Sequence, residues 1–414
     1  MNDKYLERQR ERYKRNVVKM SGSTLAQIGE TAVSDINIDY FTDKLDSLFV
    51  KLENTEKKPK IGTYCAMAPE EFIHALGYHP LKLCGNHPTA AMAGEDLAPR
   101  DSCPVVKASV GFQLMNVMPI FDNLEAVLIP GSCDGKKKAA EILQNFVPTV
   151  PIPIYMSKID YGFELLVETF YGLVSTLEQI TGKKITASKL KRACKDISRA
   201  SKEAYKLYEV LASDNSPISG TQVMTIMSTY AYDNPIDWAH KVKKLNNKLI
   251  KTTPYESKRK RPKPRIIIAG SPIGFPNFKL PYLLETLGAK VVSDESCLAG
   301  RLLYDPVLPD NDSLDGLIRA IAARYVAPCT CPTFTEMEDR FCKLEQVKND
   351  TKADGIIYNV LRGCVPFDFE LTYIEKWASK HGIPVLKVET DFGTEDYEPL
   401  KIRLEAFIEM LERR

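Results

Sequence analysis

The feature that most constrains this chain is a set of short runs that are apolar throughout. EAVLIP (125–130) is the clearest, RIIIAG (265–270) and DGIIYNVL (354–361) are similar strand candidates, and IPVLKVETD (383–391) reads as the last strand. A strand with one face in water alternates. A run without alternation is buried on both faces, as in a parallel sheet covered by helices. Helix signals lie between these runs. Pro104 can open a helix just after Cys103, GSCDGKKKAAEIL (131–143) reads as a tight turn and then a helix, and Gly77 and Gly382 close two others. LKLC (81–84), VPIPIYM (150–156) and VVSDESC (291–297) read as further strands. The fold class is therefore α/β, in βαβ units.

The order of these signals divides the chain. Residues 1–60 read as a charged helical lead-in, 61–158 as a first α/β domain, 159–255 as an all-helical insert, and 265–414 as a second α/β domain. YESKRKRPKPR (255–265) reads as a solvated basic connector. The two α/β series look like one pattern used twice. ALGYHPLKLCG aligns with TLGAKVVSDESC, SCP (102–104) with TCP (330–332), and EAVLIPGSC with DGIIYNVLRGC.

Composition removes several function classes. The 56 basic and 54 acidic residues give a net charge of +2, which offers no electrostatic case for nucleic acid or an anionic membrane. No apolar run is long enough to span a bilayer. The N-terminus MNDKYLERQRERYKRN lacks the apolar core of a secretory signal, so a cytoplasmic location is expected. In that reducing compartment the ten cysteines are expected to be core thiols, metal ligands or nucleophiles rather than disulfides.

Ligands of open parallel sheets bind beyond the carboxyl ends of the strands. Cys84, Cys133, Cys297 and Cys364 each fall just past an expected strand, Cys103 precedes an expected helix, and Cys329 and Cys331 share a proline-flanked loop. Facing halves would bring these thiols to one cleft. Zinc sites usually contain a C-x-x-C pair, and none is present. Ligands far apart in sequence suit an iron–sulfur cluster built between domains. Unconnected buried thiols are the third reading. Cys194 and Cys342 fit that third reading, and Cys65 reads as core or as a neighbour of a site. His79 and His87 are candidate proton donors, although a loop histidine is more often incidental. Asp294, Glu295, Arg301 and Arg362 flank the cysteines and suit hydrogen bonding or charge balance. No catalytic residue is assigned. No nucleotide-binding loop is present, because GSCDGKKK lacks P-loop spacing and AGSPIG is not G-x-G-x-x-G.

At these residues the chain resembles the 2-hydroxyacyl-CoA dehydratase / benzoyl-CoA reductase superfamily. Within it, it is most similar to the double-cubane cluster proteins. The resemblance runs from about residue 60 to the C-terminus, through PEEFIHALGYHP, LCG, SCPVVKASVGF, SCDGKKKAAEIL, DESC, RYVAPCTCP, DGIIYNVLRGC, GIPVLKVETDF and RLEAFIEML. It implies two flavodoxin-like domains facing each other across a cluster. Cys103, Cys133 and Cys364 match the three cysteines that hold a [4Fe–4S] unit in dehydratase subunits. Cys297, Cys329 and Cys331 are the natural second set for a bridged [8Fe–9S] double cubane, while the internal repeat argues for Cys84 beside Cys297. The implied role is an ATP-dependent oxidoreductase. It works as a homodimer, accepts low-potential electrons from an ATP-hydrolysing activator with its own [4Fe–4S] cluster, and reduces a small molecule. The alternatives are an acyl-CoA dehydratase or benzoyl-CoA reductase-type subunit with one [4Fe–4S] cluster, and a non-catalytic cluster carrier or scaffold.

Overall fold

The computed structural model describes residues 3–49, 59–255, 262–303, 305–326 and 331–414; Cys329 and most of the basic connector lie outside them. The chain opens with α1 (Asp3–Glu30) and α2 (Asp39–Asp46). The first α/β series runs β1 (Lys60–Thr63), α3 (Glu70–Ala75), β2 (His79–Lys82), α4 (Pro88–Gly94), α5 (Pro104–Met115), β3 (Leu124–Pro130), α6 (Asp134–Leu143) and β4 (Thr149–Ile152). Four helices follow: α7 (Asp160–Thr181), α8 (Ala187–Ala212), α9 (Gly220–Thr229) and α10 (Pro235–Leu249). The second series runs β5 (Arg265–Gly270), α11 (Lys279–Thr286), β6 (Lys290–Asp294), α12 (Leu314–Val326), α13 (Glu338–Thr351), β7 (Gly355–Leu361), α14 (Val365–Lys380), β8 (Val385–Thr390) and α15 (Tyr397–Glu412).

Each half is a four-stranded, fully parallel sheet. The strand orders are β2-β1-β3-β4 and β6-β5-β7-β8, which are the same topology. The pattern repetition in the sequence is thus a repetition of architecture, and both halves are flavodoxin-like. The continuous apolar runs occupy the interiors. All seven residues of β7 are buried, and burying each Val, Leu or Ile side chain there contributes about 1.5–3 kcal/mol.

The helical segment ties the halves together. On α8, Leu190, Ala193, Cys194, Ile197, Ala200, Ala204, Leu207 and Leu211 are buried at helical spacing. His74 of α3 lies 3.5 Å from Asp196 of α8, and Tyr208 of α8 hydrogen-bonds Asp294 at the end of β6. Gly220 of α9 sits so close to Val291 of β6 that a Cβ would come within 2.5 Å of it.

Some expectations shift. β2 begins at His79 rather than Leu81, and β4 stops at Ile152 rather than running to Met156. Pro151 lies within β4, which is an edge strand, where a missing N–H costs no ladder bond. Cys342 is exposed, not a core thiol. The buried residues of α13 are Arg340, Leu344 and Thr351, and Cys342 lies two positions from the first two, on the opposite face. His79 and His87 are also not exposed loop residues. His79 lies on β2 and His87 is fully buried as the N-cap of α4, accepting from the Thr89 amide at 3.1 Å. Burial pushes both imidazoles down to about 4, so they stay neutral near pH 7.

Candidate metal centre

The carboxyl ends of the two sheets meet along a seam. Cys103 is the N-cap of α5, Cys133 of α6, and Cys364 of α14. A thiol at a helix N-terminus lies beside unpaired backbone N–H groups and the positive end of the helix dipole, which favours thiolate. Cys103 and Cys364 come from opposite halves, and their side chains lie close enough to act on each other's protonation. Cys364 draws the Cys103 thiol down, helped by the amides of Val105 and Val106 against burial. Cys103, with burial, pushes Cys364 up. Cys133 is near enough for its charge to act on Cys103.

Close backbone approach makes this meeting possible. Gly363, at φ +73°, lies against the first half, and a Cβ there would stand 2.4 Å from the Asp101 carbonyl oxygen and 3.2 Å from the Cys103 nitrogen. Ser271, just past β5, donates no slack on the other side. Its hydroxyl accepts from the Leu361 amide at 3.0 Å, and its amide donates to the Asn359 carbonyl at 2.7 Å.

A second group of thiols lines a small cleft on the same seam. Cys65, Cys297 and Cys331 face it together with Arg301, Arg324 and Tyr325. Cys65 follows β1 with φ +75°, an unusual backbone for a residue with a side chain. Its amide donates to Cys84 Sγ at 3.1 Å, and its own Sγ lies 3.6 Å from Ser132 Oγ. Burial raises the Cys65 thiol, but the Lys136 ammonium, the Met67 amide and the Ser132 hydroxyl outweigh it and bring it down to about 7. Burial raises Cys297, and Arg301 opposes this.

The loop carrying Cys297 is rigid. Asp294 Oδ1 accepts from the amides of Ser296 at 2.9 Å and Gly300 at 3.0 Å, and Ser296 Oγ accepts from Ile273 at 2.9 Å. Glu295 pairs with buried Arg340 at 2.8 Å, and Arg340 also reaches Glu370 at 3.3 Å. On the other wall, Arg324 lies 3.8 Å from fully buried Glu71, which also accepts from the Tyr325 hydroxyl at 3.2 Å. Arg362 does not join the site. It is exposed and pairs with Glu389.

The structure therefore brings Cys103, Cys133 and Cys364 together and places Cys297 and Cys331 in the adjoining cleft. Cys84 lies behind Cys65, buried and raised by burial, and does not line that cleft. From the sequence Cys65 reads as core or as a neighbour of a site, and the structure places it on the cleft itself. KIGT is short and contains Lys and Gly, so β1 carried little strand signal. Once β1 is recognised, Cys65 sits at a strand end like the other candidates.

Among the described residues, no three His, Cys, Asp or Glu side chains converge as ligands of a single metal ion. That spacing does not disfavour a cluster, whose thiolates attach at separate corners. The donor set fits one: thiols from both halves, three at helix N-termini, with Lys136, Arg301 and Arg324 beside them. A larger cavity, about 610 Å³, lies between α8, the end of β6 and α13, is lined by Tyr205, Tyr208, Asp294 and Lys343, and contains no cysteine.

The chain is thus a duplicated parallel α/β protein with thiols lining the seam between its halves. The chain belongs to the family described as 2-hydroxyglutaryl-CoA dehydratase, D-component, which matches residues 65–411. It is 28% identical to the "Putative dehydratase subunit YjiM" of Escherichia coli (strain K12), over 90% of this chain and 97% of that one. It is 27% identical to the (R)-phenyllactyl-CoA dehydratase beta subunit of Clostridium sporogenes, over 87% of this chain and 93% of that one. It is 20% identical to the beta subunit of (R)-2-hydroxyglutaryl-CoA dehydratase of Acidaminococcus fermentans, over 86% and 93%. The first-half boundary of the family match falls on Cys65 itself. No helix among the described residues is long and apolar enough to cross a membrane.

Proposed function

We propose that this chain is the iron–sulfur component of a cytoplasmic, two-part reductase, with its cluster held on the seam by Cys103, Cys133 and Cys364 and by Cys65, Cys297 and Cys331. Six thiolates suit a bridged [8Fe–9S] double cubane, and in the second set Cys65 takes the place expected for Cys329, which lies outside the described residues. Such a group supplies electrons of low potential one at a time. The observation that carries the reading is the meeting of Cys103 and Cys364, two helix-capping thiols from opposite halves, where the Gly363 backbone packs against Asp101 and the Cys103 nitrogen. The chain's own residues do the rest. Helix N-termini and nearby cations favour thiolates, Asp294 and Ser296 fix the Cys297 loop, and the buried ion pairs of Glu71 and Arg340 brace the walls of the cleft. A separate ATP-hydrolysing activator with its own cluster is the proposed electron donor, and a homodimer the working assembly. The substrate is a small molecule.

A second reading is a dehydratase subunit with a single [4Fe–4S] cluster and a different partner subunit. The names of the relatives favour it, since several are beta subunits and one Acidaminococcus fermentans relative is an alpha subunit. Iron and sulfide analysis after purification without oxygen separates the two. About eight iron per chain supports the double cubane, about four supports the dehydratase reading, and zinc without iron refutes both.

A further inference from the structure

Three consecutive lysines follow Cys133, and they do not share one environment. Lys137 and Lys138 are exposed and pair with Asp134 at 3.3 Å and Glu141 at 3.0 Å. Lys136 turns inward. Its Nζ donates to Ser132 Oγ at 3.0 Å. That hydroxyl lies 3.6 Å from Cys65 Sγ, and the Cys65 amide in turn donates to Cys84 Sγ. Lys136 also lines the small cavity where Cys84 meets Val105 and Val106 of α5. The ammonium thus sits between the two thiol groups of the seam.

This placement breaks two local rules. Lys136 is in the first turn of α6, where the helix dipole is positive and a cation is disfavoured. Its ammonium is also taken out of water, which is costly without compensation. Around it stand the sulfurs of Cys65, Cys133, Cys84 and Cys331, whose negative charge favours the ammonium against burial. A residue kept against both helix electrostatics and desolvation is tied to the anionic groups that compensate it.

We propose that Lys136 is a positioning residue for the thiolate-bound group, offsetting the negative charge of the seam and so favouring the reduced state. The inference rests on the cluster reading above. When one electron is added from a low-potential donor, no bond is made or broken, and the centre gains one negative charge. A fixed cation beside it stabilises that charge, and its removal makes reduction harder.

The test is an anaerobic redox titration with one-electron mediators, followed by electron paramagnetic resonance, on the iron-loaded full chain. Iron and sulfide are measured on every sample. Lys136→Met is expected to disfavour the reduced state at least tenfold, a shift of about 59 mV to more negative potential for one electron. Lys136→Arg should restore most of it, and Lys137→Met should leave it unchanged. If Lys136→Met titrates like the unaltered chain, or Lys137→Met shifts as far, the proposal is overturned. If Lys136→Met does not fold or loses iron, Ser132→Ala decides. It keeps the cation but removes its tether, so a smaller shift in the same direction is expected and an unchanged potential overturns the proposal. An unaltered chain that binds no iron and sulfide refutes the cluster reading and this inference with it. An unaltered chain that binds them while Lys136→Met changes nothing refutes this inference alone.

Discussion

Gly363→Ala separates backbone strain from close approach at the seam. Gly363 is left-handed at φ +73°, and an added Cβ would stand 2.4 Å from the Asp101 carbonyl oxygen. A left-handed backbone costs an L-residue roughly 1–2 kcal/mol. Forcing a methyl into a filled space costs typically about 1–3 kcal/mol more. The two together give a loss of roughly 2–5 kcal/mol. Two other glycines isolate the contributions. Gly382 has φ +63° and nothing within 4 Å of its would-be Cβ, so Gly382→Ala should cost only the left-handed penalty, about 1–2 kcal/mol. Gly172 lies inside α7 with nothing within 4 Å, so Gly172→Ala should stabilise by roughly 0.5–1 kcal/mol. Urea unfolding of the metal-free chain, followed by far-ultraviolet circular dichroism, ranks the three by midpoint. The iron content of reconstituted Gly363→Ala should also fall, because Cys364 is pushed away from Cys103. If Gly363→Ala costs no more than Gly382→Ala, the halves do not approach at Asp101, and the joining of Cys103 with Cys364 is refuted.

Cys103→Ser and Cys364→Ser should each lose most of the bound iron, whereas Cys342→Ser, on the exposed face of α13, should lose none; equal iron in all three would dismiss the seam as the metal site. Arg340→Leu strands Glu295 and Glu370, both buried, and should cost about 3–5 kcal/mol by urea unfolding. Asp294 adds a pH dependence. Burial raises its carboxyl from 3.8 to about 6, against the Tyr208 hydroxyl and the Gly300 and Ser296 amides, which lower it. The folded state therefore binds more protons than the unfolded state between those values, so this group's contribution to stability falls as pH rises from about 3.8 to about 6 and is level above. Asp294→Asn should flatten that fall in midpoints measured from pH 4 to 7, and an unchanged slope would count against it.

Much of the fold was legible because its signals are local. Continuous apolar runs, Pro104 after Cys103 and Gly382 after α14 each report a rule that acts within a few residues. The strands that escaped or moved, β1, β2 and β4, are the short ones with Lys, Gly or Pro, where neighbours rather than propensity decide the pairing. The candidate site divides the same way. Cys103, Cys133 and Cys364 stand beside readable helix starts. Cys65 depends on an unrecognised strand, and Lys136 depends on which of three identical side chains turns inward. Cys342 misled because Phe341 beside it is apolar, while the face that α13 buries is centred on Arg340 and Leu344.

The pairing of Cys103 with Cys364 also sets an order of events during synthesis. Cys65, Cys84, Cys103, Cys133 and Lys136 leave the ribosome with the first sheet, but their partners on α14 come almost at the end of the chain. At ordinary translation rates that interval is on the order of tens of seconds. Throughout it the nascent half presents thiols and an inward lysine to solvent with no second wall against them. A metal centre assembled on both halves can be completed only after the last sheet has formed and closed on the first.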